Sequence, residues 1–261
     1  MKNYLLTFKK NNKKITFATN CFERDWQTLL EPDYFLNNMV KNHCYSFDEV
    51  LLIINNVSDP QAVIKKAQKL KDLNIITKYV LADDIEEKML QFFQLKKSDF
   101  LVGGAIEEYP DSTDDWVFYN ARGPLSAIYS CDTDYLLYTT GDVWVEKKVS
   151  WIEKAVHFME KNDKIKVANL TWFKCYSDAK NESYRSTYNF YVSEKRFSDT
   201  CFLVKISDFR DKIFSYVDKD SDHFPRGDTF EKRVYSHMKK NNWHRITYRW
   251  GSFEHDNYLK K

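Results

Sequence analysis

The part of the chain best suited to chemistry is the stretch 135–145, where the apolar run Tyr135-Leu136-Leu137-Tyr138 gives way to Thr139-Thr140-Gly141-Asp142. Such a run reads as a buried strand, and Gly141 is a small residue that lets the backbone approach a ligand just before an acid. A carboxylate delivered in this way can hold Mg²⁺ or Mn²⁺, which prefer oxygen ligands and accept diphosphate oxygens in the same shell. An ion there would neutralise charge developing on a departing nucleoside diphosphate. The literal Asp-x-Asp, Asp132-Thr133-Asp134, lies before the strand and reads as a helix-to-strand turn on the other edge of the sheet. Asp228 and Glu231 stand three apart at the start of an expected helix, the spacing of an Asp variant of the capping box. His157 and His223 have no partners at metal spacing and read as structural, and Gly103-Gly104 lacks the pattern of a phosphate loop.

These groups need a scaffold, and its pattern is visible upstream. The run 15–19 is β-prone. Val50-Leu51-Leu52-Ile53-Ile54 is continuously apolar, as in a strand covered on both faces. It ends in a turn-rich stretch where Asp59 is a plausible cap and Pro60 the first helical residue. An amphipathic helix over 62–73, a strand over 77–81 and a helix over about 85–95 follow. Strand, turn and helix thus recur, which predicts βαβ units: an α/β fold with a mainly parallel sheet flanked by helices. Right-handed crossovers line the loops 19–24, 55–59 and 82–85 along the carboxyl edge, where open α/β sheets bind ligands. Further elements are expected as helices over 123–131, 148–161 and 230–240, and strands over 167–172, 200–205 and 245–249.

Composition narrows the class. With 43% hydrophobic and 30% charged residues among 261, the chain has an ordinary globular balance. Its net charge of +2, with Lys and Arg interleaved with Asp and Glu, argues against a nucleic-acid partner. The five cysteines show no Cys-x-x-Cys spacing and read as reduced thiols. The N-terminal stretch lacks the apolar core of a signal peptide, and no stretch approaches the ~20 apolar residues of a transmembrane segment. A cytoplasmic location is expected.

The order Arg122, helix, strand and Thr140-Gly141-Asp142 resembles the GT-A glycosyltransferases, particularly small bacterial and viral members of the large algal DNA virus type. The resemblance extends through Phe197-Ser198-Asp199-Thr200-Cys201-Phe202, Gly227-Asp228-Thr229-Phe230-Glu231 and Phe253-Glu254-His255-Asp256. It implies a Rossmann-like GT-A domain with a nucleotide-sugar-binding half over 1–174 and an acceptor-side half over 175–261. It also implies sugar transfer from a nucleoside diphosphate sugar, a UDP-sugar foremost, to a glycan, glycoprotein or other hydroxyl acceptor, with inversion the first expectation and retention open. Thr140 stands where the family has its first acid, so the metal site rests on Asp142, and the family's C-terminal histidine points to His255 as a further ligand. Asp228 and Glu231 fall where the family places its base, and helix capping is an equal reading of the same pair. Thr19 and Asn20 would contact base or ribose, and Arg24 would offset the diphosphate. Asn56 and Asp59 would frame the base, and Arg122 would bind phosphate or ribose; for either arginine an ion pair is the plain alternative. A nucleotidyltransferase acting on a sugar phosphate, and a non-catalytic sugar-binding protein, are the competing classes. The first lacks its glycine-rich loop here, and the second would follow from the acid missing at Thr140.

Overall fold

A computed structural model describes residues 12–100, 116–218 and 229–255. The N-terminal half follows the expected alternation. β1 (Ile15–Cys21), β2 (Glu49–Ile54), β3 (Lys78–Leu81) and β4 (Tyr135–Thr139) all run parallel, in the order β3-β2-β1-β4. The connections carry α1 (Trp26–Leu29), α2 (Pro32–Tyr34), α3 (Pro60–Asp72), α4 (Ala82–Phe93) and α5 (Trp116–Ser130). The start of α3 is set locally: Asp59 caps it by accepting the Ala62 N–H at 3.1 Å, and Pro60 enters the first turn. α4 starts directly after β3, so Asp83 and Asp84 form its first turn rather than a loop. Acids there complement the helix dipole.

Beyond β4 the sheet becomes mixed. β5 (Val143–Val145), α6 (Ile152–Glu160), β6 (Ile165–Trp172), α7 (Tyr176–Asn181), β7 (Arg185–Ser186) and β8 (Phe190–Ser193) come next. β9 (Cys201–Lys205), α8 (Ile206–Phe209), α9 (Phe230–Asn241) and β10 (His244–His255) complete the described elements. β9 runs antiparallel between β4 and β6, and β10 runs parallel to β6 and antiparallel to β5 and β8. A single ten-stranded sheet thus runs β3-β2-β1-β4-β9-β6-β10-β8-β7, with β5 pairing β10 to one side. β10 is far longer than the strand expected over 245–249, and β5, β7 and β8 carry no clear pattern of their own.

The sheet buries both faces. One core joins Phe17, Leu52, Leu137 and Leu203 to α3 and α6 residues such as Val63 and Val156. The other joins Ala18, Leu51, Tyr138 and Phe202 to Met89, Leu125 and Val234 of α4, α5 and α9. Alternate residues of one strand therefore serve opposite cores, the period-two rule of a doubly covered sheet. Asp132-Thr133-Asp134 is indeed the α5-to-β4 turn: Asp134 Oδ2 accepts the Lys14 N–H at 2.9 Å, at the edge where β1 begins. No two of the cysteines are bridged. No helix among the described residues is long and apolar enough to cross a membrane.

Candidate functional site

β4 ends in a tight turn. The Val143 N–H donates to the Thr140 carbonyl at 3.2 Å, placing Gly141 and Asp142 at its corner, and the Thr140 N–H is held by the Thr200 carbonyl at 3.0 Å. Only a glycine fits at 141: a Cβ there would lie 2.3 Å from the Asn20 carbonyl oxygen, 2.8 Å from Leu29 Cδ2 and 3.1 Å from Asp25 Oδ2. The turn is thus pressed against the loop after β1, and Asp142 projects at the carboxyl edge. β5 then pairs with the end of β10 so that His255 lies opposite Val143. This register brings His255 Nε2 to 3.0 Å from Asp142 Oδ2, with side chains 24% and 15% exposed. Phe173 lies edge-on to the imidazole, with ring centroids 6.1 Å apart.

Two acids without assigned roles complete the surroundings. Asp25 is buried, and its Oδ1 accepts the Phe22 N–H at 2.8 Å. Burial pushes its carboxyl up to about 8; the Phe22 bond opposes the rise and nearby Asp142 adds to it. Asp199, across from the Gly141 turn at the start of β9, is also raised by burial. A hydrogen bond with Glu231 and the proximity of His255 oppose that shift. The Asp199 N–H donates to Glu231 Oε1 at 3.0 Å. Buried Tyr138 donates to Asn20 Oδ1 at 2.7 Å, and its phenol is pushed up by burial and by Asp199, Asp142 and Asp25 together. Two pairs, Asp142 with His255 and Asp199 with Glu231, thus lie within electrostatic reach of one another and of Asp25 and Tyr138. Neither Asp25 nor Asp199 has a local sequence signal; both enter through packing against the Asp142 turn.

The other expected site residues divide. Thr19 and Asn20 lie near the end of β1, with Asn20 hydrogen-bonded to Tyr138. The hydroxyls of Thr19, Thr139 and Thr140 are buried with no hydrogen-bond partner among the described residues. Asn56, with φ 51°, turns the loop after β2, and its carbonyl accepts the Glu23 N–H at 3.3 Å. Asp59 is occupied as the α3 cap, and Arg24 is exposed in the loop after β1. Arg122 is buried: its Nε–H donates to Asn55 Oδ1 at 2.8 Å, and its Nη1 pairs with Asp83 and Glu86 at 2.5 and 2.6 Å. Asp228 lies outside the described residues. The cap of α9 is Thr229, whose hydroxyl accepts the Lys232 N–H at 3.2 Å, so Glu231 sits one position earlier than the capping box requires and turns to Asp199.

Asp142 and His255 form an ion pair whose two atoms are also spaced as adjacent ligands of a hard divalent ion. Ligands ~2.1 Å from an octahedral ion lie ~3.0 Å apart when adjacent, the separation seen between Asp142 and His255. The unpartnered Thr140 hydroxyl adds an oxygen at the same turn. No cluster of three or more His, Cys, Asp or Glu ligands occurs among the described residues, so the rest of the shell would come from water or diphosphate oxygens.

With this architecture in view, the fold is that of the GT-A glycosyltransferases. Two solved structures carry the likeness. GalNAc-T7 with UDP, GalNAc and Mn²⁺ matches with a TM-score of 0.56 and 11% identity, over 97% of this chain and 45% of that one. The mannosyltransferase PcManGT from Pyrobaculum calidifontis, in complex with GDP-Man and Mn²⁺, matches with a TM-score of 0.51 and 12% identity, over 94% and 57% respectively. The chain spans about half the length of these proteins. At such identities the likeness is one of fold. No protein-family model and no curated protein matches the sequence.

Proposed function

We propose that this chain is a metal-dependent glycosyltransferase that uses a nucleoside diphosphate sugar, with a UDP-sugar as the first candidate donor. The observation that carries the reading is the meeting of Asp142 and His255 at 3.0 Å on the carboxyl edge of a GT-A sheet. Bound Mn²⁺ or Mg²⁺ would supply charge neutralisation for the departing diphosphate. Asp142 and His255 would hold it, and an imidazole in the set suits Mn²⁺ better than Mg²⁺.

The remaining roles follow from position. Thr19, Asn20 and Asn56 line the loops that would receive base and ribose. Arg24, exposed beside them, would offset diphosphate charge. Thr140 and Gly141 keep the β4 turn close against the β1 loop, so the diphosphate can approach backbone. An acceptor hydroxyl must lose a proton as it attacks the anomeric carbon. Glu231, which accepts the Asp199 N–H, is the proposed base, and Asp228, next to the same helix start in sequence, is the other candidate. The acceptor is proposed to be a glycan or glycoprotein.

Titration calorimetry with UDP, and separately GDP, in the presence of Mn²⁺ tests the reading. Binding that disappears with EDTA and in Asp142→Ala is expected. A wild-type protein that binds neither nucleotide, or an Asp142→Ala variant that binds equally well, would sink it.

A further inference from the structure

At the far side of the sheet from β1, β10 departs from regular pairing. Tyr248 pairs with Leu170 and Ser252 with Thr171, so Arg249, Trp250 and Gly251 bulge out against two adjacent β6 residues. Bulges of this kind redirect side chains and are frequent beside functional sites. This one holds the β7–β8 turn. The Arg249 guanidinium donates to the Thr187 carbonyl, the Trp250 indole N–H to the Tyr188 carbonyl at 3.0 Å, and the Arg249 N–H to the Asn189 carbonyl at 3.0 Å. Three consecutive turn carbonyls are thereby tied to the bulge. Arg249 also stacks on Trp250 and on Tyr191.

The outcome is a ledge of two exposed rings on a tied backbone. Tyr188 is 81% exposed and Trp250 51%, with centroids 6.0 Å apart. Beside them opens a cavity of about 180 Å³, lined by Lys154, His157 and Phe158 of α6 and by Thr187, Tyr188 and Asn189 of the turn. The Trp250 ring, fixed by its own N–H and by the Arg249 guanidinium, is preorganised for a ligand, since its ordering cost is already met. Two rings and a cavity of this size fall far short of the ~800 Å² per partner that a stable protein interface buries. An aromatic face with the Lys154 ammonium, the His157 imidazole and the Asn189 amide at its rim matches one face of C–H groups and an equatorial rim of hydroxyls, the chemistry of a pyranose.

We infer that the Tyr188–Trp250 ledge and its cavity bind a neutral oligosaccharide, and that this is the distal part of a glycan acceptor. The acceptor role rests on the transferase reading above; carbohydrate binding at the ledge does not. Trp250 lies five residues before His255 on β10, roughly 16 Å along the strand at 3.3 Å per residue. A ligand engaging both must therefore be a chain of several sugar units.

The test follows Trp250 directly. In ¹⁵N-labelled protein, its indole resonance is identified by its loss in Trp250→Phe. Cellohexaose, maltohexaose, chitohexaose and mannohexaose are then titrated into wild type and into Tyr188→Ala. We expect at least one hexasaccharide to shift the Trp250 resonance, with roughly tenfold weaker binding in Tyr188→Ala and an unchanged melting temperature. The inference is overturned if none of the four moves that resonance, or if Tyr188→Ala binds equally well. It is also overturned if the resonance moves with protein concentration alone, which would mark a contact between copies of the chain. UDP–Mn²⁺ binding is measured on the same sample: its absence with the oligosaccharide response intact would remove the transferase reading and leave the ledge standing.

Discussion

Asp25 shows most directly what the site demands of single residues. Its carboxyl is buried beneath the Gly141 turn and raised from the ordinary range to about 8. In the unfolded chain it ionises near 4, so between about pH 4 and pH 8 the folded state holds the extra proton. Stability from this group therefore falls as pH rises through that window and levels off above it. Asp25→Asn keeps the acceptor for the Phe22 N–H and removes the titration. Urea unfolding in EDTA should show the variant gaining on wild type by up to about 4 kcal/mol between pH 5 and pH 8; a constant gap would show that Asp25 is not held neutral. Gly141 is equally constrained. Gly141→Ala places a methyl group against the Asn20 carbonyl, a backbone atom that cannot swing aside. A loss of about 1–3 kcal/mol is expected, with weaker Mn²⁺-dependent UDP binding because Asp142 is the next residue.

Among the elements, α9 and β10 do most to assemble the two pairs. α9 carries Glu231 in its first turn, and the Thr229 cap sets where that turn begins. Thr229→Ala should lower stability by about 1 kcal/mol, and Thr229→Ser should restore it to within a few tenths, as read from urea midpoints. An equal loss in both variants would mean that the methyl group, not the hydroxyl, matters. β10 links two features along one strand. Its end, paired with β5, presents His255 to Asp142, and its bulge builds the aromatic ledge.

For the whole molecule, Arg122 is the cross-brace of the N-terminal, parallel part of the sheet. Lying on α5, it reaches Asn55 after β2 and two acids of α4, and its guanidinium packs on Tyr119 with 4.8 Å to the ring centroid. Asp83 and Glu86 keep access to water without the guanidinium, whereas buried Asn55 Oδ1 loses its donor, so Arg122→Ala should destabilise by about 1–3 kcal/mol. Arg122→Lys should recover little, because an ammonium cannot serve three acceptors in the fork geometry. Melting temperatures of both variants check this, alongside UDP binding. Normal stability with lost UDP binding would instead favour the phosphate or ribose role.

Local pattern alone accounts for much of the scaffold. The apolar runs of β2 and β4, the Asp59-Pro60 helix start and the strand–turn–helix alternation are short-range signals, because burial period and capping are decided within a few residues. They place Asp142 at the carboxyl edge, and they put Asp132-Thr133-Asp134 at the wrong one. The partners of Asp142 are another matter. His255 reaches it through the β5–β10 register and Asp25 through a close approach that only Gly141 permits, while the antiparallel insertion of β9 brings Asp199 within reach of His255. Each contact joins segments distant in sequence, and neither β5 nor the β10 bulge has a periodicity of its own. The acid at the centre of the site is thus written in its own strand, whereas what surrounds it was decided when the sheet closed around that strand.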